Sequence, residues 1–138
     1  MTITFKNKNI RICQVIGGLN VGGAEKQFVN FLNFSVMDDH FSQLTVEALV
    51  LSKKNTKGLF PQIAPSVVCH WMPVRLILLP IEIYKLVKFL KKGNYDIVHS
   101  HMFWPNFYAS LALIFCTKID FFTSDHGMNP WKNSIHKW

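Results

Sequence analysis

Residues 10–25 read IRICQVIGGLNVGGAE. The first seven, Ile10–Ile16, form a short, mostly apolar run with several β-branched side chains, and Gly17-Gly18 close it. That pattern predicts a buried strand ending in a glycine turn. Past the second glycine pair, Phe28, Phe31 and Leu32 fall at helical spacing, so residues 24–34 are read as a helix with those side chains inward. A strand that passes through a glycine loop straight into a helix is the start of a βα unit.

The same alternation continues outward from this stretch. Residues 45–51, 66–72, 95–100 and 118–124 are further strand candidates. Residues 80–92 carry the clearest helical pattern, with Ile83, Tyr84, Leu86, Val87 and Leu90 on one face and Glu82, Lys85, Lys88, Lys91 and Lys92 on the other. Gly93 stands in the helix-ending position. Pro105 suits the first turn of a last helix running to about residue 115. Residues 52–65, polar and holding Gly58 with two prolines, read as loop or a short helix. The fold class is therefore α/β: a Rossmann-like parallel sheet with helices on both faces.

The 138 residues suit one domain. The division is a basic tail over residues 1–9 and a single α/β domain over residues 10–138. Apolar residues make up 49% of the chain, which supplies a core and argues against disorder. The formal charge of +7 is concentrated around residues 6–11 and 85–92. A basic balance points to nucleic acid, an anionic membrane or a phosphorylated ligand. The chain has no zinc-finger, RNP or recognition-helix pattern, so no nucleic-acid partner is expected. The basic face of residues 85–92 is open to two readings, a solvated helix surface or a peripheral contact with anionic lipid. Cys13, Cys69 and Cys116 lie far apart in apolar runs, which reads as buried free thiols of a reducing compartment. No apolar stretch is long enough to span a bilayer and no signal-peptide pattern opens the chain. The expected location is cytoplasmic, and the lipid reading of residues 85–92 would add peripheral contact at the inner face of the membrane.

In an open parallel sheet, ligands bind at the carboxyl ends of the strands. After the first strand stands Gly17–Gly18 followed by Asn20, Gly22 and Gly23. Glycines there let backbone N–H groups at a helix N-terminus approach an anion. The spacing matches neither common phosphate motif, so a plain turn stays open beside the phosphate reading. After the fourth strand, His99 and His101 share one face by the twofold strand period. They are read as core histidines, as ligand contacts or as two-thirds of a metal site whose third ligand is not evident. After the fifth, Asp125 and His126 form a turn, but no nucleophile elbow accompanies them.

Taken together, residues 12–26 (ICQVIGGLNVGGAEK), 96–101 (DIVHSH) and 123–127 (TSDHG) resemble the N-terminal domain of family 4 glycosyltransferases of the GT-B fold. The resemblance runs from about residue 11 to residue 130. It implies retaining transfer of a sugar from a nucleotide-sugar donor to a saccharide or lipid-linked acceptor, with polysaccharide or glycolipid of the bacterial cell envelope as the product class. It also implies that Gly22 and Gly23 face the donor diphosphate, that His101 contacts the donor sugar as the catalytic histidine, and that His126 and Asn20 line the cleft. Neither cofactor nor metal is expected.

The glutamates Glu25, Glu47 and Glu82 do not form the E-x7-E pair that such enzymes carry in their second, nucleotide-holding domain. The chain is therefore expected to be an incomplete N-terminal half, inactive alone. Its apolar surface at Phe121, Phe122 and Trp131 is expected to promote self-association. The alternative is a non-catalytic acceptor-binding module that pairs with a separate C-terminal half. A Rossmann nucleotide protein unrelated to sugar transfer is disfavoured, since Ser52-Lys53-Lys54 stand where a ribose-binding acid belongs.

Overall fold

The computed structural model of the chain describes residues 9–126. Strands β1 (Ile10–Ile16), β2 (Leu44–Val50), β3 (Cys69–Trp71), β4 (Ile97–His101) and β5 (Asp120–Ser124) form one sheet. Their order is β3-β2-β1-β4-β5 and every pairing is parallel. Helices α1 (Gly23–Met37), α2 (Leu79–Gly93) and α3 (Phe103–Leu113) carry the crossovers, except that β2 reaches β3 through irregular chain with a 3-10 turn at Phe60–Gln62. The path from β1 to β2 runs opposite in direction to the paths from β3 to β4 and from β4 to β5. Right-handed crossovers therefore place α1 on one face and α2 with α3 on the other.

The side-chain alternation of the strands serves both faces. Ile12 and Ile16 of β1 pack with Val46, Ala48 and Val50 of β2 against Phe28, Val29 and Leu32 of α1. Cys13 and Val15, with Leu49 and Val98, pack against Leu86 and Leu90 of α2 and Tyr108, Ala109 and Ala112 of α3. Fully burying one such Leu or Phe contributes about 2–3 kcal/mol. A polar cluster ties the sheet together away from the carboxyl ends. Arg11 Nη2 donates to Glu47 Oε1 at 2.6 Å, and Glu47 Oε2 accepts from the Tyr95 hydroxyl at 2.6 Å and lies 2.8 Å from His70 Nε2. Burial alone would raise the Glu47 pKa, but the hydrogen bonds from Tyr95 and His70 and the Arg11 charge hold it below the ordinary value.

Several local expectations are corrected by packing. Phe31 is exposed, and the inward arc of α1 is Ala24, Phe28, Val29, Leu32 and Ser35. On α2, Glu82 is buried and Tyr84 is 66% exposed, the reverse of the amphipathic reading. The helix is rotated so that Glu82, Leu86 and Leu90 face inward, and Lys85 Nζ stands 3.5 Å from Glu82 Oε2. Asn94, not Gly93, takes the left-handed conformation that ends α2, at φ 48°. α3 starts two residues before Pro105, which still falls within the first turn, where an N–H has no helical acceptor. Cys13 and Cys116 are buried, whereas Cys69 is only half-buried.

β5 is the outer strand among the described residues, with Phe122 exposed and Phe121 half-buried. The basic tail up to residue 8, Gly127 and Trp131 lie outside the described residues. No helix among those described is long and apolar enough to cross a membrane.

Candidate functional site

β1 sits between β2 and β4 although β2 and β3 intervene in the chain, so strand order reverses beside it. The carboxyl ends of β1 and β4 diverge there, which is where an open α/β sheet forms its ligand crevice. The loop after β1 lines that crevice. Its base is held by Leu19, which is buried and whose carbonyl accepts from Leu59 N at 2.9 Å. Gly58, at φ 67°, lies so close to the Leu19 carbonyl that a Cβ would strike it. The neighbouring Gly17 packs on Pro105 at the start of α3. Asn20 and Val21, by contrast, are exposed.

Gly22 is the N-cap of α1 and Gly23 its first residue, and no side-chain cap satisfies the end of the helix. Gly22 has extended backbone, at φ −155° and ψ 171°. A Cβ on it would meet only the end of the Glu25 side chain, and one on Gly23 would meet nothing. The Glu25 carboxylate therefore lies folded against the helix N-terminus, the position that an anionic ligand would take. It is the flexible end of a half-buried side chain.

His101 closes β4 and is buried on the α1 face of the sheet. Its Nε2 lies 2.6 Å from Gln14 Oε1 and its Nδ1 lies 3.1 Å from His126 Nε2. An amide oxygen only accepts, so Nε2 of His101 carries the proton and Nδ1 accepts from His126. Burial, with the neighbouring His99 and His126, lowers the His101 pKa to about 4. The ring is thus neutral near pH 7 and acts through hydrogen bonds. Phe28 of α1 meets it edge-on, with ring centroids 5.5 Å apart. The His126 ring lies nearly parallel to that of His101, with centroids 5.4 Å apart.

His99 and His101 do share one face, with centroids 4.2 Å apart. His99 Nε2 is directed to Ser124 Oγ at 2.8 Å instead of toward a shared point. Burial and then His126 lower its pKa as well. Among the described residues no group of three His, Cys, Asp or Glu could hold a metal ion. Both nitrogens of His101 are already engaged, which explains why the pair does not converge.

Met102, the next residue, has φ 73° and ψ 164°, a conformation that costs a non-glycine residue about 1–3 kcal/mol. The strain is held by Met102 N donating to Ser124 O at 2.9 Å and Asn106 N donating back to Met102 O at 3.1 Å. It turns the chain from β4 into α3 within one residue.

The structure thus joins His101 to His126 directly and sets Gly22, Gly23 and Asn20 on the adjoining loop. Reading the sequence did not single out Gln14, and it placed Phe28 in the core of α1 without assigning it to the site. Gln14 had left a signal, being the one amide within the apolar run of β1.

The family model described as Glycosyltransferase Family 4 matches residues 21–138. Among solved structures, the chain is similar to a glycosyltransferase from Rickettsia africae ESF-5, with a TM-score of 0.67 at 22% sequence identity. The likeness covers 96% of this chain and 33% of that one, so the chain spans about a third of the length of this relative. At that identity the likeness carries the fold. No curated protein matches the sequence.

Proposed function

Since the chain belongs to glycosyltransferase family 4, we propose that it forms the acceptor-side wall of a cleft in which a sugar passes, with retention, from a nucleotide-sugar donor to a saccharide or lipid-linked acceptor. Envelope polysaccharide or glycolipid is the product class. The observation that carries this reading is one of position. An uncapped helix N-terminus after a glycine loop and a neutral, doubly anchored histidine stand at the two strand ends where the sheet reverses order.

In this reading the donor diphosphate displaces the Glu25 carboxylate and takes the N–H groups of Gly22 and Gly23. The positive end of the α1 dipole then stabilises the charge that grows on the leaving phosphate. His101 makes a hydrogen bond to the donor sugar through Nδ1 once His126 turns aside. It does not shuttle protons, because a group titrating near 4 is a poor base near pH 7. Asn20 and His126 line the opening. The nucleotide is held by protein outside the described residues, on the same chain or a separate one, and no metal takes part.

NMR titration of the isotope-labelled chain with UDP- and GDP-sugars tests this. The expected result is weak, roughly millimolar binding, with shifts confined to Gly22, Gly23, His101 and their neighbours. Shifts centred elsewhere would remove the site, and micromolar affinity would overturn the division of binding between two walls.

A further inference from the structure

Residues 27–37 and 58–67 hold no Asp, Glu, Lys or Arg. At the 17% of charged residues in the whole chain, about four of these 21 would carry charge. The two stretches are neighbours in space. Leu59, Ile63 and Val67 pack with Phe28, Val29 and Leu32 of α1. Asn33 Nδ2 donates to Gln62 O at 2.7 Å, and Ala64 N donates to Asn33 Oδ1 at 2.8 Å. Together they make one uncharged flank on the α1 side of the sheet. Part of its apolar surface faces solvent, since Met37 is 79% exposed, Phe34 53%, and Phe31 is exposed too. Gln27 and Asn30 lie exposed on the same helix.

Charge indicates what covers this flank. Protein–protein interface cores are depleted of charged residues and enriched in Phe and Met. Neither nucleic acid nor an anionic bilayer finds a cation between residues 27 and 37. Two copies at +7 each repel on most approaches and least through a flank without charge. The ends of the flank, moreover, have opposite signs. Lys26 stands exposed near the N-terminal end of α1, and Asp38 and Asp39 follow its C-terminal end. In a twofold contact one patch faces itself. With the axis level with residue 32, the two α1 helices run antiparallel and residue 26 of one copy falls beside residue 38 of the other. Lysine then meets aspartate twice, the helix dipoles lie opposed, and Phe31 and Phe34 sit at the axis.

We propose that the chain forms a homodimer through this flank, with α1 packed antiparallel on α1 of a second copy. Gly22 lies about 15 Å along the helix from the axis. The two clefts therefore open at opposite ends of the dimer, and each stays accessible. The proposal goes beyond sugar transfer and does not depend on it.

Sedimentation equilibrium of the 138-residue chain at about 10–300 µM is the test, since a face of this size supports a dimer of roughly micromolar to tens of micromolar dissociation constant. Phe34→Asp should raise that constant at least tenfold. Lys26→Glu sets like charges together at both ends and should raise it about fivefold. The swap Lys26→Glu/Asp39→Lys should return it to within about threefold of the parent, because opposite signs then meet again. All three side chains are exposed, so the thermal midpoints should stay within a few degrees of the parent. If Phe34→Asp fails to fold, Lys26→Glu and the swap decide alone. Phe122→Asp, on the outer strand β5, should leave the dimer intact. A monomer throughout the range would overturn the proposal, as would a dimer that Phe122→Asp dissolves and Phe34→Asp does not. Failure of the swap to restore association would overturn the antiparallel arrangement.

Discussion

Acidification should unfold this chain through His101 before it does so through any carboxylate. His101 is 6% exposed, donates to Gln14 and accepts from His126, and its pKa lies near 4 against 6.5 for an ordinary histidine. In the unfolded chain the ring binds a proton near pH 6.5. Between those two values the unfolded state holds the extra proton, so stability is full above about 6.5 and declines as the pH drops toward 4. Between about pH 7 and about pH 5 the loss attributable to this one ring is at most about 1.8 kcal/mol. Solvent reaching the ring from the cleft screens part of that, leaving about 1 kcal/mol. The perturbation is His101→Gln, which keeps a donor toward Gln14 and cannot titrate. Urea unfolding of both proteins at the two pH values gives the comparison, and the parent should lose about 1 kcal/mol more than the variant. Direct titration of the His101 ring by NMR should place its midpoint near 4. Equal acid sensitivity of parent and variant would refute the argument, as would a ring midpoint near 6.5.

Three further outcomes follow from the same geometry. Gly58→Ala forces a side chain into φ 67° and against the Leu19 carbonyl, and should cost about 2 kcal/mol or more in chemical denaturation. Gly22→Ala meets only a movable carboxylate, so stability should change by less than about 1 kcal/mol while the nucleotide-sugar shifts at the α1 N-terminus disappear. Glu47→Gln removes the ion pair with Arg11 and weakens the bond from Tyr95, and should cost about 1–3 kcal/mol near neutral pH. Because the Glu47 pKa is lowered, the contribution of its charge is present above the ordinary carboxylate range and lost as the pH falls through the folded value. The difference between variant and parent should therefore shrink below about pH 4, under the window in which His101 acts.

How much of the site was legible depends on how far apart its parts lie in the chain. The glycine loop and the H-x-H strand end are contiguous motifs, and their positions after β1 and β4 could be read directly. The partners of His101 could not. Gln14 and His126 are 87 and 25 residues away, and only the pairing of β1 with β4 and of β4 with β5 brings them to one ring. Glu82 was misread for a related reason. Periodicity shows that α2 has two faces, but the rotation that buries Glu82 and exposes Tyr84 is set by packing against the sheet and α3.

Local pattern was enough for the α/β class, the alternation of elements, the glycine turns and the family, because each is written in neighbouring residues and their spacing. The strand order, the reversal beside β1 and the neutral state of His101 emerge only once the chain is folded. Those depend on crossover handedness and on desolvation by residues distant in the chain, neither of which a local pattern records.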